Sequence, residues 1–109
     1  MRQKYSYNNL AIVDDVIYDN DLVKLKNFIE FGQESLTISV LSYGLNQAIS
    51  NNCIEMIQLF LSSINDDKKY HREEINAAIC TAISTVGRMY EDKSITSAEM
   101  IRIIKLINN

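Results

Sequence analysis

The chain has 109 residues, 47% hydrophobic and 23% charged, with a formal net charge of −3 and a pI near 5.0. That length holds one domain, or about three small repeats around a modest core, and the apolar fraction excludes a disordered chain. The acidic balance argues against a nucleic-acid surface, and no apolar run approaches the roughly 20 residues that cross a bilayer.

Leu10, Val13, Val16 and Ile17 recur at helical spacing, which predicts a first helix over roughly Asn9 to Tyr18, capped by Asn8 or Asn9. Asp19, Asn20 and Asp21 form a short polar break. A second helix then carries Leu22, Leu25, Phe28 and Ile29 on one face and stops at Gly32, a residue suited to a left-handed terminus. From Gly32 to Tyr43, β-branched residues without a helical stripe predict an extended connector or a short hairpin.

Leu45, Ala48 and Ile49 line the next helix, Asn51 and Asn52 make its turn, and Ile54, Ile57, Leu59, Phe60 and Leu61 carry the helix after it. Ile75, Ala78, Ile79, Ala82 and Ile83 form a third first-helix face. About a dozen inserted residues are expected around Gly87 to Ser97. Thr96 and Glu99 have capping-box spacing and open a last helix bearing Met100, Ile103, Ile104 and Ile107.

These elements repeat. A shift of 32 residues superposes Ile17 on Ile49, Asn20 on Asn52 and Phe28 on Phe60, with conservative pairs between them. Asn20 and Asn52 thus share a place in the helix-to-helix turn, where asparagine's tolerance of positive φ is useful. A weaker match at 34 residues aligns Ala82, Ile83 and Ser84 with Ala48, Ile49 and Ser50. A period of this size points to stacked units that share a core. The expected fold is a single all-α domain over 1–109, with repeats at about 9–40, 41–73 and 74–109.

The run from Leu45 to Leu61 resembles the two-helix part of an ankyrin repeat, in which a Leu-His-x-Ala-Ala helix, an Asn-Gly-His turn and a Leu-Glu-Val-Val-x-Leu-Leu-Leu helix follow one another. The run from Val16 to Gly32 resembles the same pattern. The family's Thr-Pro-Leu-His opening is replaced by Tyr43, Gly44, Leu45 and Asn46, and its turn glycine by Asn20 and Asn52. What the resemblance implies is a divergent, short ankyrin-like solenoid of about three helix-turn-helix repeats. Tetratricopeptide-type hairpins and a generic helical bundle are the alternatives. The resemblance also implies a protein-interaction module whose partner docks on the connector tips and exposed first-helix faces. Those positions are Asp14, Asp15 and Tyr18 in the first unit and Tyr43, Asn46, Gln47 and Ser50 in the second.

No reaction centre is legible. His71 is the only histidine and sits among charges before a helix, a capping or solvated position. Cys53 and Cys80 are far apart and read as small buried thiols, so no metal ligand set or cofactor is expected. The adjacent pairs Asp14–Asp15 and Asp66–Asp67 do not face one another on a helix. Lys68, Lys69 and Arg72 are surrounded by acids, so no phosphate patch is expected.

The expected function is therefore a non-catalytic adaptor or inhibitor that binds one protein partner. A microbial effector or a toxin-neutralising immunity protein fits this description. The alternatives are a structural homo-oligomer, self-associating through Ile101, Ile104 and Leu106 of the last helix, or a small enzyme with a site near His71. No continuous apolar stretch follows Arg2 and Lys4 as a secretory leader requires, so the expected location is the cytoplasm, or the host cytoplasm for an effector. No membrane partner is expected.

Overall fold

Asparagine is among the residues that best accept a left-handed backbone, and the chain uses two of them to reverse direction. The computed structural model describes residues 2–31, 36–66 and 68–108, with side chains from residue 10 onward. Among these residues there are six helices and no strand: α1 (Arg2–Asp19), α2 (Leu22–Phe31), α3 (Ile38–Ser50), α4 (Ile54–Ile64), α5 (Arg72–Glu91) and α6 (Ser97–Asn108). Gly32, the expected end of the second helix, lies outside the described residues.

The helices pair as α1/α2, α3/α4 and α5/α6. Contacts between neighbouring pairs put α1, α3 and α5 in one row and α2, α4 and α6 in another. Each pair turns on one residue at positive φ: Asn20 at 55°, Asn52 at 55° and Lys93 at 64°. The hydrogen bonds around them are the same three times. Asn20, Asn52 and Lys93 N–H donate to the carbonyls of Ile17, Ile49 and Tyr90, at 3.1, 2.9 and 3.0 Å. Asp21, Cys53 and Ser94 N–H donate to those of Val16, Ala48 and Met89, at 3.1, 2.9 and 2.8 Å. This is the Schellman arrangement, which satisfies carbonyls that a helix end leaves orphaned.

The turns place equivalent residues 32 apart between the first and second pairs and 41 apart between the second and third. The expected match at 34 therefore falls seven residues short, and the reason is geometric. Seven residues are two helical turns, so the same apolar face recurs there, and Ala82 is buried while Ile83 stands exposed. Much of the expected insertion is helix, because α5 continues to Glu91.

Two other expectations change. Helix α1 begins at Arg2, well before Asn9. The expected connector is helical from Ile38, because the Thr37 side chain accepts a hydrogen bond from Val40 N–H at 3.2 Å and caps α3. Leu41 and Leu45 then continue inward along that helix. The Thr96–Glu99 capping box forms as expected. Thr96 N–H donates to Glu99 Oε1 at 2.9 Å, and Glu99 N–H donates to Thr96 Oγ1 at 3.2 Å.

Val13, Val16, Leu25, Leu45, Met56, Ile57, Phe60, Ile64, Ile75 and Ile103 are fully buried. Full burial of such a side chain contributes about 1.5–3 kcal/mol. Gly44 sits in mid-helix, where glycine costs about 1 kcal/mol relative to alanine. A Cβ there would meet Cε1 and Cζ of the buried Phe60 ring on α4, so the glycine lets α3 and α4 approach.

Gly44→Ala should destabilise the fold by about 1–3 kcal/mol through overpacking, and Phe60→Leu in the same chain should recover part of that loss; urea melts of the single and double variants measure it. Lys93→Gly should raise stability by up to about 1 kcal/mol, since a lysine at positive φ carries a steric cost that glycine lacks; thermal melts at matched concentration check this.

Candidate protein-interaction face

Tyr43 OH donates to Asp14 Oδ1 at 2.8 Å and Oδ2 at 3.1 Å. Gln47 Nε2, one turn along α3, donates to Asp14 Oδ1 at 3.3 Å and to Tyr43 Oη at 3.2 Å. Three of the residues expected on the docking face therefore form one cluster that ties α1 to α3. Asn46 ties α3 to α5: its Oδ1 accepts from Thr85 Oγ1 at 2.8 Å, and its Nδ2 donates to the Ser42 carbonyl at 2.9 Å. Asp14 and Asn46 are equivalent positions, 32 residues apart, so each pair is linked to the next from the same place.

Two clefts flank α3 on this side. The α1/α3 cleft, about 360 Å³, is lined by Asp14, Asp15, Ile17, Tyr18, Gln47 and Asn51. It brings together four of the expected residues, and Tyr18 is 90% exposed beside it. The α3/α5 groove, about 460 Å³, runs from Ile38, Ser39 and Ser42 past Tyr43 and Asn46 to Glu74, Ala77, Ala78 and Thr81. Ser50 is exposed and lines neither. Between the clefts, α3 carries no charged residue along its whole length.

Sequence patterning misses Glu74, Thr81 and Thr85. The available signal is Ala77, Ala78, Thr81 and Thr85, a run of small residues at helical spacing on α5, three of which line the groove.

The last helix behaves differently. Ile101 is 49% exposed, while Ile104 and Leu106 are half-buried and pack against the core. Ser97 Oγ donates to Tyr90 Oη at 3.1 Å, which places Ile101, one turn beyond Ser97, near the exposed side of α5. Among the described residues the exposed large hydrophobics are Ile12, Tyr18, Val23, Phe31, Ile83, Tyr90 and Ile101. All fall on the first and last helix pairs and none on α3 or α4.

The histidine and the cysteines line neither of the two clefts. His71 is exposed at the start of α5, and its backbone N–H donates to Glu74 Oε1 at 3.1 Å. Both cysteines are free. Cys53 is half-buried, with its thiol pushed up by desolvation, whereas Cys80 is exposed on α5 rather than buried as expected. Among the described residues no three His, Cys, Asp or Glu side chains group as metal ligands, and no helix is long and apolar enough to cross a membrane.

Asn52 Nδ2 donates to Glu99 Oε2 at 3.0 Å, linking the second turn to α6. The Thr96 backbone hydrogen bond holds the Glu99 carboxyl below its usual 4.5; desolvation opposes this, and hydrogen bonds with the Thr96 and Asn52 side chains add to it. Its contribution to stability is therefore present above the usual value and lost as pH falls through the lowered one.

Comparison of the chain with protein-family models, curated proteins and solved structures finds no match. The ankyrin likeness rests on the residues quoted above.

The hydrogen bond to Asp14, then burial and the Asp14 charge, raise the Tyr43 phenol above 10.0, with Gln47 acting in the opposite sense. A raised folded-state value means that this contribution is intact below the ordinary tyrosine range and is lost as pH climbs through the Tyr43 value. Asp14→Asn should bring the Tyr43 titration back down towards 10.0 and reduce that alkaline loss; ring-carbon NMR titration of Tyr43 in both proteins checks the direction.

Proposed function

We propose that this chain is a non-catalytic protein-interaction module, an adaptor or inhibitor built as a short, divergent ankyrin-like array, and that its partner docks on the α1–α3–α5 row. The observation that carries this reading is the make-up of that row. An uncharged α3 ridge of Ser, Tyr, Asn and Gln lies between two open clefts, and an almost fully exposed tyrosine stands at one of them. Interface cores are depleted in charge and enriched in tyrosine, and tyrosine buries large area at low conformational cost. The three equivalent turns and two helix rows support the repeat-array reading.

The polar ties give Tyr43, Asn46 and Gln47 a further role. Their rotamers are held by intramolecular hydrogen bonds, so they present a pre-organised surface and lose little freedom on docking. Tyr18 and Asp15 are the exposed contacts beside it. The homo-oligomer alternative has Ile101 as its exposed residue, with Ile104 and Leu106 already half engaged by the core. No catalytic role is proposed for His71.

Tagged wild-type protein and a Tyr18→Ala variant, each used to capture partners from native extract, test the reading. The wild type should recover one protein in stoichiometric amount, and the variant should weaken that complex by about tenfold or more, as loss of a tyrosine anchor does, with an unchanged thermal melt. Equal recovery by both would move the site away from this face, and recovery of the bait alone would overturn the adaptor reading.

A further inference from the structure

The charged side chains that line the two clefts beside α3 have one sign, although α5 also carries Arg72 and Arg88 outside those linings. Among the described residues, Asp14, Asp15 and Glu74 are the charged side chains that line the two clefts, and all three are carboxylates. Two other clefts mix signs, Glu55 lying with Arg102 in one and Asp66 with Lys69 in the other, and a third is uncharged. The carboxylates also have a definite layout. Asp15 belongs to α1, Glu74 to α5, and the uncharged α3 lies between them. Packed helices lie about 8–10 Å apart, so the flanking helices are about 16–20 Å apart across the row. Asp15 stands with Gln47 and Asn51 towards the C-terminal end of α3, and Glu74 with Ile38, Ser39 and Ser42 towards its N-terminal end, so the two carboxylates are offset along α3 as well as across it. A partner helix, about 10–12 Å wide with its side chains, would meet them at opposite ends of α3.

We propose that the partner is a basic protein that lays an uncharged ridge along α3, with lysine or arginine side chains reaching Asp15 on one flank and Glu74 on the other. This inference rests on the interaction-module reading and adds the partner's chemistry to it.

Asp14 is tied to Tyr43 and Gln47 and serves as part of the floor. Asp15 and Glu74 are both exposed. Rim charges of this kind contribute chiefly to encounter rate and partner selection. A cationic partner is drawn in at low salt, and the attraction fades as the screening length shrinks. The same field repels acidic proteins and nucleic acid. The three carboxylates do not gather as a metal site among the described residues, so the charge is spread along a docking face.

The test is selection from a phage-displayed library of random helical peptides against the whole chain, with the bound peptides sequenced and their affinities measured in low and high salt. The proposal expects enriched peptides to carry net positive charge on two flanks of a neutral stripe and to weaken with salt. It also expects them to lose about tenfold or more in affinity for an Asp15→Asn/Glu74→Gln double variant. Asparagine and glutamine keep the carbonyl acceptors, including the one at the α5 cap, and remove only the charge. A Tyr18→Ala control separates the two readings. Enriched peptides that are neutral or acidic, or that bind wild type and double variant alike yet depend on Tyr18, overturn the basic-partner inference and leave the interaction face standing. Failure to enrich any peptide sensitive to Tyr18, Asp15 or Glu74 overturns both.

Discussion

Each helix pair depends on one residue held at positive φ. At Asn20, Asn52 and Lys93 the chain leaves one helix, satisfies two of its last carbonyls and enters a turn that leads back along the same helix. Because the hydrogen bonds match at all three turns, the second helix of each pair departs in the same way. The side-by-side rows α1–α3–α5 and α2–α4–α6 then follow from burying the apolar stripe that each pair alone would leave wet. The packing of α3 on α4 adds a second constraint, for a Cβ at residue 44 would run into the Phe60 ring.

The row arrangement is what makes a face available. Placing α1, α3 and α5 side by side puts Asp14, Tyr43, Gln47, Asn46 and Thr85 within hydrogen-bonding reach, although they come from sequence positions 29 to 39 residues apart. Among the described side chains no buried polar atom is left without a partner. Asp14, Tyr43, Gln47, Asn46 and Thr85 are thus held by hydrogen bonds within the molecule, along a helix α3 that carries no charge. For the proposed docking face, that pre-organisation lowers the cost of binding.

Much of this order was legible in the residues. The 32-residue period, the asparagine at each of the first two turns and the Thr96–Glu99 cap rest on local backbone chemistry that short patterns encode well. The third turn was not legible, because lysine gives no hint of a left-handed backbone and the apolar face repeats two turns earlier, offering a false alignment at Ala82. The start of α3 was hidden for a related reason: Thr37, Ile38 and Val40 favour strands in isolation, and capping by the Thr37 hydroxyl decides otherwise. Several residues of the proposed face could be named individually, yet their mutual bonding was invisible, since contacts between first helices leave no short-range trace. Gly44 lacked a trace as well, because its reason lies on another helix, at Phe60.

The distribution of exposed apolar side chains bears on how the chain comes apart. Among the described residues, the large hydrophobics that are exposed lie on the outer pairs, while the middle pair has a neighbour on both sides. Local opening should therefore be graded in space. Amide hydrogens of α3 and α4 would exchange near the global limit, and those of α2 and α6 well before it. An outer pair that peels away leaves the middle pair with one neighbour instead of two and weakens it in turn, so the array loosens from its ends inward, as a stack of nearest-neighbour units does.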